Sequence, residues 1–289
     1  MKIVHFEDVA FKERLPRHRD GRFEYKALVE GTPGTPGNFI LQAVRTYGDF
    51  FSPRHRHNFD QFRFQLEGMF DFGGNSKMTT GSIAYFPEGT FYGPQSSSED
   101  SLTIVLQFGG ASGSGYISKE EFLGGSADLQ KVGQFQKGAF TQVENGQKRN
   151  KDGYQAVWEH IKKRPLEYPA VRYHDPIFMN PRGFAWVPVA DEPGLFEKRL
   201  GVFTERETTA SFLRLEPMAR ARLRQQSLYF IIKGRGHIAD VSVDPRTTIY
   251  LEPDENAEVV ANEETEILHL GLPDMSGLAN ADVMPARAS

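Results

Sequence analysis

The chain contains an internal repeat, and a repeat restricts the possible folds more than any single residue does. Phe23-Glu24-Tyr25-Lys26-Ala27-Leu28 is answered by Phe196-Glu197-Lys198-Arg199-Leu200-Gly201, and Asn38–Gln42 by Ser211–Leu215, both at an offset of 173 residues. Further on, Phe62–Gly68 is answered by Leu228–Gly234 and Ile83–Glu88 by Ile249–Asp254, both at 166. One deletion of seven residues between Arg45 and His57 reconciles all four matches. The closing segments Leu102–Phe108 and Glu266–Leu270 keep the same order. The repeated unit is short, dense in Phe, Ile, Val and Tyr, and interrupted by turn signals at Gly73-Gly74, Pro87-Glu88-Gly89 and Asp244-Pro245. Short strands at regular spacing predict two successive β-barrels or sandwiches.

Between the copies the character changes. Gly110–Gly115 reads as a loop; Ser118-Lys119-Glu120-Glu121 has capping-box spacing ahead of Phe122 and Leu123. Asp152–Lys163 puts Tyr154, Val157, Trp158 and Ile161 on one helical face, and Pro165 ends it. The expected organisation is a first barrel with an N-terminal arm over 1–112, a partly helical connector over 113–180, a second barrel over 181–275 and a flexible tail over 276–289.

Charge excludes some partners. With 34 basic and 38 acidic residues spread along the chain and a net charge of −4, there is no basic face for a phosphate backbone, so nucleic acid is not expected. There are no cysteines, which removes disulfides, thiolate nucleophiles and Cys-based metal sites. Met1–Glu13 is charged at Lys2, Glu7 and Asp8 and does not read as a signal peptide. No segment has the uninterrupted apolar length of a membrane span. The expectation is a cytoplasmic protein with no membrane partner.

The chemistry-bearing stretch is Gly48–Gly68. On a strand, alternate side chains share a face, so His55, His57, Gln61, Arg63 and Gln65 point one way while Phe62, Phe64 and Leu66 point the other. A polar face turned into a small barrel costs about 1–3 kcal/mol per unsatisfied group, which argues that it binds something. Arg63 suits a carboxylate or phosphate on a ligand; the alternative is a buried partner for an acidic residue of the barrel.

This stretch resembles the first signature of the cupin superfamily: a glycine, His-X-His, three or four residues, a Glu, six residues and a glycine. Here His55 and His57 are in place, Gln61 stands where the Glu would be, Gly68 closes the pattern, and Gly48 lies one residue further upstream than the pattern asks. The second signature is matched by Gly81, Pro87 and Gly89, with Tyr92 at its His position and Ser96 at its Asn position. The resemblance implies an all-β fold of two tandem cupin barrels of jelly-roll type joined by a partly helical connector. It also implies one divalent ion, Fe, Mn, Ni or Zn, held by His55, His57 and Gln61, with Tyr92 at the position of the family's fourth ligand; a metal-free polar pocket is the competing reading. Tyr92 and Arg63 are the candidate catalytic residues. Arg63, Gln65, Tyr85 and Gln95 are the candidate substrate contacts for a small molecule, anionic if Arg63 anchors it. Two functions compete: a metal-dependent enzyme of dioxygenase, isomerase or lyase type, and a non-catalytic binder. The second copy offers Ala221, Leu223, Ser227 and Glu258 at the matching positions. It cannot build a metal site and is expected to serve as structure, as a pocket wall or as a homodimer surface. Arg220, Arg222, Arg224 and Arg235 there read as a solvated basic face rather than an anion site.

Overall fold

The computed structural model describes residues 1–14, 21–35, 37–74 and 76–277, and the tail expected from 276 lies almost wholly outside them. The chain forms two units. The first spans Phe11–Met179, so the connector folds with the first barrel. The second joins Asn180–Ser276 to Met1–Ala10, so the first ten residues are not an arm of the first barrel. Lys2–Val4 pairs antiparallel with Thr248–Tyr250, and the His5 ring meets the Thr247 hydroxyl at 3.1 Å.

In the first unit, a seven-stranded sheet runs Ile177–Met179, Ile83–Phe86, Phe59–Glu67, Ser101–Gly109, Phe39–Thr46, Phe23–Glu30, Lys12–Arg14. A four-stranded sheet of Phe51–Ser52, Gln95–Ser96, Met69–Asp71 and Lys77–Thr79 completes the barrel. The second unit repeats the plan with Lys2–Val4, Thr248–Leu251, Ser227–Lys233, Thr265–Gly271, Thr209–Leu215, Leu195–Val202 and Val187–Pro188, plus four shorter strands. The two plans share their irregularities. Leu66 and Ile232 are the extra residues where the central strand bulges against its neighbour, and Leu28 and Leu200 are the extra residues two ladders further out. Each central bulge is followed by a glycine in the left-handed region, Gly68 at φ 72° and Gly234 at φ 79°.

The ladders keep one of the four sequence matches in register and correct three. Phe62 and Leu228 hold equivalent places, as read, because the central strand carries its own bulge and glycine as markers. Leu106 and Leu270 face those two residues, and Leu41 and Ala210 face these in turn. That puts Phe39–Thr46 and Thr209–Leu215 at an offset of 169, not 173. Tyr85 matches Tyr250 and Tyr25 matches Glu197, each one residue from the sequence alignment. Apolar alternation with period two does not distinguish a slip of four, and fully buried strands do not mark a slip of one.

A second feature escaped the repeat altogether. Both seven-stranded sheets end in an arm strand followed by one 3-10 turn: Lys2–Val4 then Phe6–Asp8, and Ile177–Met179 then Pro181–Gly183. The arm preceding the first barrel in sequence serves the second unit, and the arm preceding the second barrel serves the first.

The barrel interiors differ. The second is packed with Leu215, Ala221, Leu223, Ile231, Ile249 and Val259, all buried. Its one imidazole, His269, lies between the hydroxyls of Ser211 and Ser227, each 3.1 Å away, and is stacked on Tyr229. Burial lowers the pKa of His269 to about 4, so it is a neutral core group. In the first unit the connector closes over the barrel with helices Lys119–Leu129 and Gly153–Lys162. The capping box at Ser118 and Glu121 forms as the sequence predicts. Gln134–Gln136, Ala139–Glu144 and Gln147–Asp152 form a three-stranded sheet that the sequence reading did not anticipate. Trp158, Val157 and Tyr154 of the second helix pack with Phe122, Phe140 and Phe59. A side chain at Gly125 would meet Ile161 at 2.8 Å, so this glycine lets the two helices approach. Trp158→Ala empties the centre of this cluster and should lower the unfolding free energy of the first unit by about 3–5 kcal/mol in urea titrations.

Candidate functional site

Strand Phe59–Glu67 has its inner face toward a cavity of about 170 Å³ inside the first barrel. Arg63 and Gln65 come from this strand, His55 and His57 from the segment before it, and Tyr92 and Gln95 from the loop opposite, where His55 and Tyr92 pair through their backbones. The polar side chains are wired together. Arg63 donates from Nη1 to Gln95 Oε1 at 2.5 Å, and from Nη2 to Gln61 Oε1 at 3.0 Å and the Tyr92 hydroxyl at 3.3 Å. Its guanidinium carbon lies 4.5 Å from the ring centre of Phe86 and 5.3 Å from that of Tyr92, within cation–π range. Gln61 Oε1 also accepts from Gln107 at 3.3 Å, so its amide nitrogen is the atom that donates to Tyr92, at 2.9 Å.

The ring of His55 is fixed by chemistry as well as packing. Its Nδ1 lies 2.6 Å from the Pro53 carbonyl, which can only accept, so Nδ1 carries the proton and Nε2 keeps its lone pair. Gln95 Nε2 stands 3.5 Å from that Nε2. His57 is stacked on Phe59 and meets Tyr154 edge-on, with ring centres 4.5 and 4.6 Å away. Tyr154 donates to Asn58 at 2.7 Å, tying the connector helix to the strand that bears the site.

Of the residues expected from sequence, His55, His57, Arg63, Gln65, Tyr92 and Gln95 line the cavity, and Gln61 supports them from behind. Tyr85 does not belong there. It stands opposite Phe62, on the other face of the sheet, fully buried, and donates to Asp60 at 2.8 Å. Paired directly with Phe62, it turns with that residue to the face away from the cavity. The reading missed Gln42, Thr103 and Gln107, which alternation along their own strands could have found. It also missed Lys119 and Tyr154, which enter only because the connector folds over the barrel.

Behind the site lies a second polar cluster. Asp60 accepts from Tyr85 and, at 2.7 Å, from the Glu88 backbone. Glu88 accepts from Arg172 at 2.6 Å and from Ser112 at 2.5 and 2.9 Å, so it ties a loop and a connector residue to the barrel. Burial, with the Glu88 charge added, pushes Asp60 up to about 7. Between the ordinary Asp value and pH 7 the folded chain therefore holds a proton that the unfolded chain has released. The Asp60 contribution to stability accordingly falls as pH rises through that window.

The donor set does not suit a divalent ion. Among the described residues no three His, Asp or Glu side chains converge. Two of the four positions that the cupin resemblance assigns to metal ligands, Gln61 and Tyr92, turn their oxygens to the Arg63 guanidinium. Two unit charges about 4 Å apart repel by about 4 kcal/mol at an effective dielectric of 20, and a divalent ion doubles this.

In the second unit, Ala221 and Leu223 are core residues, and Arg220 pairs with Glu258 at 2.8 Å, in keeping with a solvated basic face. Two jelly-roll barrels, one enclosing a cavity and one filled, give this chain the fold of a bicupin. No family model matches the sequence, and no curated protein matches it. Solved structures do. A candidate dioxygenase from Nostoc punctiforme aligns at TM-score 0.65 and 12% identity over 96% of this chain and 85% of its own. A candidate glyoxylate-induced protein from Pseudomonas aeruginosa aligns at TM-score 0.57 and 11% identity over 93% and 86%. An oxalate decarboxylase of Bacillus subtilis, a protein also studied for its Mn(II) centres, aligns at TM-score 0.56 and 12% identity over 95% and 78%. At these identities the likeness is one of fold. No helix among the described residues is long and apolar enough to cross a membrane.

Replacing Asp60 by Asn removes the titrating group. Urea midpoints of the wild-type chain should carry a decline between pH 4.5 and 7.5 that Asp60→Asn lacks.

Proposed function

We propose that the first barrel binds a small organic carboxylate and performs acid–base chemistry on it, of the isomerase or lyase class. The observation that carries this reading is the charge of the cavity wall. The Arg63 guanidinium, a permanent cation, and the Lys119 side chain line it, and no carboxylate among the described residues does. Neutral amides, those of buried Gln61, Gln65 and Gln95 and half-buried Gln107, orient the polar groups without adding charge. His55 Nε2 is the proton acceptor and the Tyr92 hydroxyl the donor, on two rings packed against each other in the cavity wall with centres 4.5 Å apart. Phe50, Phe70, Phe72 and Met78 supply the apolar part of the wall and exclude water from the charged end. The fold relatives support small-molecule chemistry in such a barrel, and the shared bulges of the two units support an origin by internal duplication. The donor geometry speaks against the metal-dependent dioxygenase reading.

Calorimetric titration with a panel of mono- and dicarboxylates should find binding. A charged hydrogen bond contributes about 1.5–3 kcal/mol, so Arg63→Met and Lys119→Met should each weaken that binding by roughly 10- to 100-fold. Equal affinity of wild type and variants, or preference for neutral ligands, would overturn the reading. Tight binding with no conversion of any bound acid would leave the non-catalytic binder as the function.

A further inference from the structure

We propose that in this barrel the Arg63 guanidinium occupies the role that a bound divalent ion would have, so that the cation recognising the ligand is part of the chain itself. The inference rests on the carboxylate-site reading and adds how the charge is supplied. Four donors define the metal position implied by the sequence signature: His55, His57, Gln61 and Tyr92. Arg63 bonds two of them directly, at 3.0 and 3.3 Å, and reaches toward a third through Gln95, whose amide nitrogen stands 3.5 Å from His55 Nε2. The guanidinium is charged at every pH at which the protein folds, and Phe86 and Tyr92 hold it by their ring faces.

Gln61 is the residue that permits the arrangement. As an amide it accepts from Arg63 without neutralising it, and by donating to Tyr92 it sets the direction of the next hydrogen bond. The Tyr92 oxygen accepts from both Gln61 and Arg63, so its own proton is directed elsewhere than to either of them. A Glu at position 61 would reverse both effects: it would pair with Arg63 as a buried ion pair and accept the Tyr92 proton. The same carboxylate without Arg63 would join His55 and His57 as a third, anionic donor, the set that suits a divalent ion.

The test compares wild type, Gln61→Glu, Arg63→Lys and the double variant Gln61→Glu/Arg63→Met, each checked for folding by circular dichroism. Mn²⁺ and Zn²⁺ are titrated calorimetrically, and acetate and malonate serve as anion probes with and without prior chelation. Wild type should bind the carboxylate equally well after chelation and take up no stoichiometric metal. Gln61→Glu should lose at least tenfold in carboxylate affinity. Arg63→Lys should bind carboxylate more weakly, still without metal. The double variant should lose the carboxylate and gain at least 100-fold in Mn²⁺ or Zn²⁺ affinity over wild type. Stoichiometric metal in wild type, carboxylate binding abolished by chelation, or a folded double variant that binds metal no better than wild type would each overturn the inference. If neither probe nor any other carboxylate binds, the anion-site reading falls, while the metal titrations still decide whether Arg63 displaces the ion.

Discussion

A guanidinium held inside a β-barrel imposes conditions on everything around it. It cannot shed its proton, and burying it away from polar partners is prohibitive. The wall around Arg63 is accordingly made of amide oxygens, a phenol and aromatic faces, and these come from different places in the chain. Gln61 belongs to the same strand, Gln107 to the neighbouring one, and Tyr92 and Gln95 to the loop across the barrel. The network therefore ties the two walls of the barrel together and orients the side chains that face the ligand.

The second barrel shows the same frame without that requirement. Its central strand has the same bulge and the same left-handed glycine, yet its interior is packed with Ala221, Leu223 and other apolar side chains and closes on itself. Its buried imidazole, His269, is satisfied by two serine hydroxyls and kept neutral by burial. Backbone geometry thus fixes the barrel, and the choice of inward side chains decides whether it closes as a core or leaves room for a chamber.

The chamber also depends on parts outside the barrel. Tyr154 orders Asn58 and packs on His57, and Lys119 reaches the cavity from the first turn of a connector helix. The Asp60–Glu88–Arg172 cluster fastens that connector from the opposite face of the same strand. One strand therefore presents its functional groups on one face and anchors their support on the other.

The sequence by itself determined the doubled barrel and most of the inward polar face. Both follow from local patterns: a repeat with its turns, and alternation along one strand around His55–Gln65. It also read the capping box at Ser118 and the helix around Trp158 from spacing alone. What only the tertiary structure decided were relations between segments. The register of three of the matched segments moved, because buried strands do not mark their own register, and pairing with Phe62 turned Tyr85 away from the site. The exchange of arm strands and the entry of Lys119 and Tyr154 rest on packing between distant stretches, which leaves no local mark. The character of the site itself turned on a contact two residues apart along the strand. Gln61 and Arg63 read from sequence as a weakened metal ligand and a separate anchor. Side-chain geometry joins them, because the amide oxygen is turned to the guanidinium.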